Sequence, residues 1–125
     1  MRVLISIKPE FVKKIFSGEK KFEYRKAIFR NPNVDTVVIY ATKPCGKVVG
    51  EFEINKILCD NPEKIWESTQ EFSGITKEFF DQYFGNKEKA YAIKIGDVTQ
   101  YKHPLSLNEF DKDINTPPQS VQYLN

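Results

Sequence analysis

The chain is short of the residues that most often carry catalysis or cross-links. It has one histidine, His103, so a two-histidine acid–base mechanism is excluded and a histidine-based triad has a single candidate. His103 precedes Pro104 in what reads as a loop, with no second signal beside it, and looks incidental. Two cysteines, Cys45 and Cys59, are too few for a disulfide framework. They lack the His-rich neighbourhood that a zinc site would need. Neither has a partner that would mark a nucleophile, and Cys45, in a turn, reads as a solvent-accessible thiol. Long apolar runs are missing too. The opening MRVLISIKPEF has too short an apolar run for a signal peptide, and nothing approaches the roughly 20 apolar residues of a spanning helix. Repeats, low-complexity segments and interdomain linkers are also lacking. The expectation is a soluble cytoplasmic protein, with no metal, no cofactor and no membrane contact.

What is present fits one domain over residues 1–125. Ten Phe, six Tyr and one Trp supply much of a core that draws on 40% hydrophobic residues. Aromatics also stack bases, so composition alone does not separate core from site. The net charge of +2 is unevenly spread. Residues 1–56 hold twelve Lys/Arg against six Asp/Glu, and residues 57–125 hold seven Lys against eleven acids. A basic first half beside an acidic second half points to an anion-facing surface, although solvated lysines on amphipathic faces would give the same count.

Periodicity supplies the elements. Val3, Leu4, Ile5 and Ile7 read as a buried first strand. Pro9 opens a short amphipathic helix over residues 9–17, with Phe11, Val12, Ile15 and Phe16 on one face and Gly18 as its stop. Residues 20–26 alternate, with Phe22 and Tyr24 on an apolar face and Lys21, Glu23 and Arg25 on a charged one. Residues 31–33 mark a loop, 36–41 an apolar strand, 43–46 a turn and 47–58 a long strand in which Gly50 marks a bulge or barrel corner. Asn61-Pro62 caps a helix carrying Ile65 and Trp66. Thr76 caps another, with Phe79, Phe80, Tyr83 and Phe84, that Gly85 ends. Residues 90–95 form a strand, with residues 98–101 pairing back onto it across Gly96-Asp97. This order predicts an α+β fold, a small and largely closed mixed β-sheet with short helices at its ends or over one face.

The most informative stretch is ISIKPEFVKKIFSGEKKFEYR, residues 5–25. It places Lys8 at a strand end, then a helix, a glycine turn, and a strand offering Lys20, Glu23 and Arg25. These could converge at one mouth of a barrel, where clustered cations would hold a phosphate or carboxylate, Arg by paired hydrogen bonds and Lys as a point charge. Each also has a purely structural reading: Lys20 as a solvated lysine, Glu23 and Arg25 as an i, i+2 ion pair worth under about 1 kcal/mol if exposed. Tyr24, Tyr40 and Tyr91 are either core or stacking surfaces. Lys43 ends a strand near the same mouth. Gln119 and Ser120, after Pro117-Pro118, could deliver an amide and a hydroxyl able to read a base edge, or could simply cap the sheet.

The pattern Ser6-x-Lys8-Pro9, helix, Gly18-Glu19-Lys20-x-x-Glu23-x-Arg25 resembles the ASCH domain of the PUA-like superfamily. Tyr40-Ala41-Thr42-Lys43-Pro44 is similar to the family's second segment, and Gly46 to Glu53 resembles its Val-Gly-Glu-Phe strand. Tyr91-Ala92-Ile93 resembles a late barrel strand, and Pro117-Pro118-Gln119-Ser120 is similar to the tail of a small bacterial and phage branch. The resemblance implies a PUA-like β-barrel with a cleft beside the first helix. It also implies RNA, a nucleotide or a modified nucleoside as ligand.

Three functions follow. The first is a binding module that holds RNA or a nucleotide through Lys8, Lys20, Arg25 and Lys43, with Glu23, Tyr40, Gln119 and Ser120 completing the site. The second is a hydrolase of amidohydrolase or ribonuclease type. Lys20 matches the lysine of the family's acetylcytidine amidohydrolases, but Glu23 stands where their threonine nucleophile would be. A different hydrolysis would use Glu23 as base and Lys20 or Arg25 to stabilise an anion. The third is a regulatory protein-interaction domain.

Overall fold

The structure is a computed structural model that describes residues 1–124; the final Asn125 lies outside the described residues. Strands apolar on both faces lie in its interior. β1 (Arg2–Ile7) and β3 (Thr36–Ala41) pair in parallel, with Val3 opposite Val37 and Ile5 opposite Ile39. A parallel pair needs a crossover, and α1 (Pro9–Ser17) and β2 (Phe22–Arg25) fill it. Successive side chains leave the strands on opposite faces. Val3, Ile5, Val37 and Ile39 join Val12 and Ile15 of α1 in one core cluster, while Leu4, Val38 and Tyr40 join Val48 and Leu107 in another.

The spine is an antiparallel pair of long strands, β4 (Lys47–Asp60) and β5 (Ala90–Leu105). With β6 (Val121–Leu124) against β1, the six-stranded mixed sheet has the order β2-β5-β4-β3-β1-β6. The sheet is not closed: β2 and β6 are its edges. A side chain bridges them, because Arg25 Nη2 donates to the carbonyl of Ser120 at 3.3 Å, just ahead of β6. The α+β, barrel-like fold expected from the sequence is therefore present, with a side-chain seam in place of a full ladder.

Two local readings are corrected. Residues 98–101 do not fold back at Gly96-Asp97. β5 continues through an irregularity there, and Val98 and Thr99 pair with Phe52 and Glu51 of β4. Gly96 serves close approach instead of a turn, since a Cβ there would lie 3.1 Å from the Glu53 carbonyl oxygen. His103 and Pro104 belong to the same strand and not to a loop. Proline is tolerated there because Gly50 pairs with Gln100 but Val48 with Leu105, a wide irregularity that frees the intervening backbone. Gly50 sits at this irregularity as expected. A Cβ on it would meet the Thr99 carbonyl oxygen at 2.5 Å and the Phe16 ring at 2.8 Å.

Two short helices cover the β2–β5 end. α2 (Pro62–Thr69) starts where Asn61 Oδ1 accepts from the Lys64 N–H at 3.0 Å, and α3 (Lys77–Phe84) where Thr76 Oγ1 accepts from the Phe79 N–H at 3.1 Å. A 3-10 turn, Gln70–Phe72, follows α2. Ile65, Phe80 and Phe84 pack onto Phe22 and Tyr24 as a third cluster. A four-residue helix, α4 (Leu107–Phe110), caps the far end through a Ser106/Glu109 capping box. Among the described residues no helix is long and apolar enough to cross a membrane.

Candidate functional site

The site grows from the loop between α1 and β2. After Gly18 stops the helix, the Lys20 N–H donates to the Lys14 carbonyl at 3.0 Å and the Lys21 N–H to the Phe72 carbonyl at 2.9 Å. The chain is pinned between the end of α1 and the 3-10 turn, and Lys20 is driven inward. It is only 2% exposed. Its ammonium donates to the Ser73 carbonyl at 2.7 Å and lies 4.8 Å from the centroid of the Tyr24 ring. A second lysine, Lys14, donates to the neighbouring Gly74 carbonyl at 3.0 Å.

β2 has no solvated charged face. Glu23 is 7% exposed, where alternation alone would leave it in water, because α1 and α3 cover the strand. One Glu23 carboxylate oxygen lies 3.6 Å from Arg25 Nη1. Burial pushes the Glu23 carboxyl above the usual carboxylate range, against the opposing pull of Lys20 and Arg25. Burial likewise lowers Lys20 to about 8; the Lys14 charge acts in the same direction and the Glu23 charge against it. Tyr24, pushed up to about 12 by burial, shares a 2.7 Å hydrogen bond with Thr69 Oγ1 and meets Phe80 edge-on at 5.1 Å. Its role is that of a buried floor.

These groups line a cavity of about 190 Å³ between the end of β1, α1, β2 and α3. The structure brings together four of the expected residues, Lys8, Lys20, Glu23 and Arg25. It does not bring the other four to the lining. Tyr40 leaves β3 on the opposite face and is buried in the second core cluster. Lys43 is exposed in the turn after β3, beside Thr42, whose N–H donates to the Ile7 carbonyl at 3.0 Å. Gln119 is exposed on the tail, between two carbonyls that tie that tail to the rim: Pro118 accepts from Ser6 Oγ at 2.8 Å and Ser120 from Arg25 at 3.3 Å. Ser120 thus reaches the site through its backbone oxygen, not its hydroxyl. Tyr91, cross-strand partner of Arg25, also lies off the lining.

Sequence reasoning missed three aromatic walls, Phe11, Phe79 and Tyr83. Phe79 meets Phe11 edge-on at 5.3 Å, and the Lys8 ammonium lies 5.3 Å from the Phe79 centroid. A signal was available on α3. Phe80 and Phe84 suffice as a buried stripe, so the parallel pair Phe79 and Tyr83, one residue earlier on each turn, is surplus to the core. The finished hollow has cations at its rim and floor, aromatic walls, and one buried carboxyl. It can hold an anion beside a flat ring, and burial shifts its lysine down and its carboxyl up. Among the described residues no three His, Cys, Asp or Glu side chains gather as metal ligands.

Comparison with known proteins places the chain. The model of the ASCH domain family matches residues 5–99. The large ribosomal subunit protein uL22 of Ureaplasma parvum serovar 3 is 31% identical over 123 residues, 98% of this chain; the chain spans 39% of that protein's length. An ASCH domain-containing ribonuclease of Zymomonas mobilis is 32% identical over 124 residues, 97% of this chain and 82% of the relative. The crystal structure of ASCH from Zymomonas mobilis superposes with a TM-score of 0.89 at 30% identity, covering 99% of this chain and 87% of that one. With the family model matched over residues 5–99, a relative of that family at 32% identity and the fold in agreement, the chain belongs to the ASCH domain family.

Proposed function

We propose that the chain binds single-stranded RNA and takes one nucleotide into the cavity between α1, β2 and α3. The observation that carries this reading is the meeting of Lys8, Lys20 and Arg25 with Phe11, Phe79 and Tyr83 in one hollow. Cations beside stacking surfaces are what a phosphate joined to a base requires. At about 190 Å³ the hollow is below the range of drug-sized sites, about 300–1,000 Å³, and suits one unit of a strand, not a duplex. Lys20, lowered only to about 8, keeps its charge at neutral pH. Gln119 on the tail and Lys43 on the adjoining turn stand outside the lining, where they would meet flanking nucleotides. The exposed, unpaired Cys45 and Cys59 suit a reducing compartment such as the cytoplasm. Titrating a labelled single-stranded oligoribonucleotide at increasing salt tests the reading. Affinity should fall steeply as counterions compete, and affinity flat in salt would reject it.

A second reading, RNA cleavage, is favoured by one observation: Lys20 and Glu23 share the cavity and are shifted toward each other's range. Glu23 would take the proton of a 2′-hydroxyl, whose oxygen attacks the adjacent phosphorus. As the bond from phosphorus to the 5′ oxygen breaks, Lys20 would return a proton to that oxygen, leaving a cyclic phosphate and a 5′-hydroxyl. The Zymomonas relative, named a ribonuclease, supports this reading. Amide cleavage is less well served, since Glu23 offers no hydroxyl nucleophile.

A further inference from the structure

A second hollow, of about 320 Å³, lies on the other side of β2, between α2 and the β4–β5 pair. Its floor is a cross-strand row. Phe22 on β2 stands opposite Lys94 on β5, and Lys94 stands opposite Lys56 on β4. Lys64 of α2 closes the same hollow from above, with Ser68 one turn further on. Two lysines placed directly opposite each other in a sheet repel, and a third on the covering helix adds to that repulsion. One acid, Asp60, shares the lining with the three lysines. Among the described residues none of the three lysines makes an ion pair. Asp60 accepts from the Asn61 N–H at 2.7 Å and leaves the lining with three cations against one carboxylate. The local charge also runs against composition, because Lys64 and Lys94 belong to the half of the chain in which acids outnumber lysines eleven to seven.

Three lysines, two of them directly opposed in the sheet, against one acid leave a cationic excess that an anion from outside can meet. We infer that this groove holds the phosphodiester backbone of the RNA strand whose nucleotide enters the first cavity. The inference rests on the RNA-binding reading and extends it. β2 links the two hollows: Phe22 lines one, and the next residue, Glu23, lines the other. A strand leaving the cavity past this edge meets Lys94, Lys56 and Lys64. The groove, broader than the cavity and floored by cations with one ring, suits a backbone more than a base.

The test follows backbone amide NMR signals while a short single-stranded oligoribonucleotide is added to wild-type protein, and repeats the binding with a Lys56→Gln/Lys94→Gln variant. Shifts are expected both at Lys8 and Arg25 and at Lys56, Lys64 and Lys94. The double variant should lose affinity roughly tenfold and lower the salt slope by about 1.4, the single-strand value for two phosphate contacts. Its thermal midpoint should stay level or rise, because a repulsion has been removed. Wild-type shifts confined to Lys8 and Arg25, with the double variant's affinity and slope unchanged, overturn the groove and leave the cavity reading standing. Shifts confined to the groove residues overturn the cavity reading and, with it, the shared path, leaving the groove as a separate RNA contact. No shift at either set overturns both, and shifts with polyglutamate but not with RNA overturn the groove's assignment in favour of an acidic-protein surface.

Discussion

The stem of Lys20 occupies the space that a side chain at position 74 would need. Gly74 has a φ of +69°, and a Cβ on it would lie 2.6 Å from the Lys20 Cβ and 2.7 Å from its Cγ. The bare backbone of Gly74 can therefore press against the lysine, and the carbonyls of Ser73 and Gly74 receive Lys20 and Lys14.

Gly74→Ala should destabilise the protein by about 1–3 kcal/mol from backbone strain alone, with a further loss from displacing Lys20. Gly18→Ala is the control. Gly18 also has a positive φ, +85°, but a Cβ there meets nothing within 4 Å. Urea denaturation should rank Gly74→Ala as the more damaging, and only Gly74→Ala should weaken RNA binding.

Burial of Lys20 gives a pH signature. Its folded pKa of about 8 lies below the ordinary 10.5, so between these values the unfolded chain binds more protons than the folded one. Stability therefore rises with pH over that window, by on the order of 3 kcal/mol in full. Tyr24, raised to about 12, opposes the trend once unfolded tyrosines ionise near 10, so the clean interval is pH 8–10. Thermal midpoints should climb there in wild type and stay flat in Lys20→Met.

Glu23→Gln separates binding from cleavage. Removing a buried carboxylate from a hollow meant for an anion should leave RNA affinity unchanged or tighter, while any turnover disappears. Assays on matched wild-type and variant protein decide the point; turnover that persists in the variant rejects Glu23 as the base. The variant should also lose a pH dependence. The raised Glu23 pKa means that wild-type stability declines as pH climbs above 4.5 toward the folded value.

The α3 aromatics should divide cleanly. Phe80, 0% exposed, is core, and Phe80→Ala should cost about 3–5 kcal/mol of stability. Phe79 is half-buried on the cavity wall. Phe79→Ala should spare most of the stability and cost about 1–3 kcal/mol of RNA binding, the range for one stacked base. Its salt slope should match wild type, because no cation has been removed. Fluorescence anisotropy at two salt concentrations measures both quantities.

Much of this was legible where the cause is local. The helix over residues 9–17, the Asn61 and Thr76 caps and the bulge at Gly50 rest on signals within a few residues of the feature. The convergence of Lys8, Lys20, Glu23 and Arg25 was read from strand ends and a familiar motif. The burial of Lys20 was not, because the carbonyl that receives it is 53 residues away. Gly96-Asp97 looked like a hairpin because glycine marks turns and close approaches alike, and only the length of β4 decides between them. Tyr40 followed the alternation of β3 to the other face of the sheet, and proximity in sequence to Thr42 and Lys43 concealed that. The tail reached the site through carbonyls, which no side-chain pattern reveals.

The seam between β2 and β6 joins residues 95 apart in the chain, Arg25 and Ser120. Its loop-closure cost is the kind settled late in folding, after the local pairings have formed. β6 holds to the sheet along β1 alone, so this last strand is the unit that can detach while the spine stays intact. Because Arg25 belongs to both the seam and the cavity, an anion that drew its guanidinium inward would loosen the latch on that strand, and faster amide exchange in β6 is the expected sign of it.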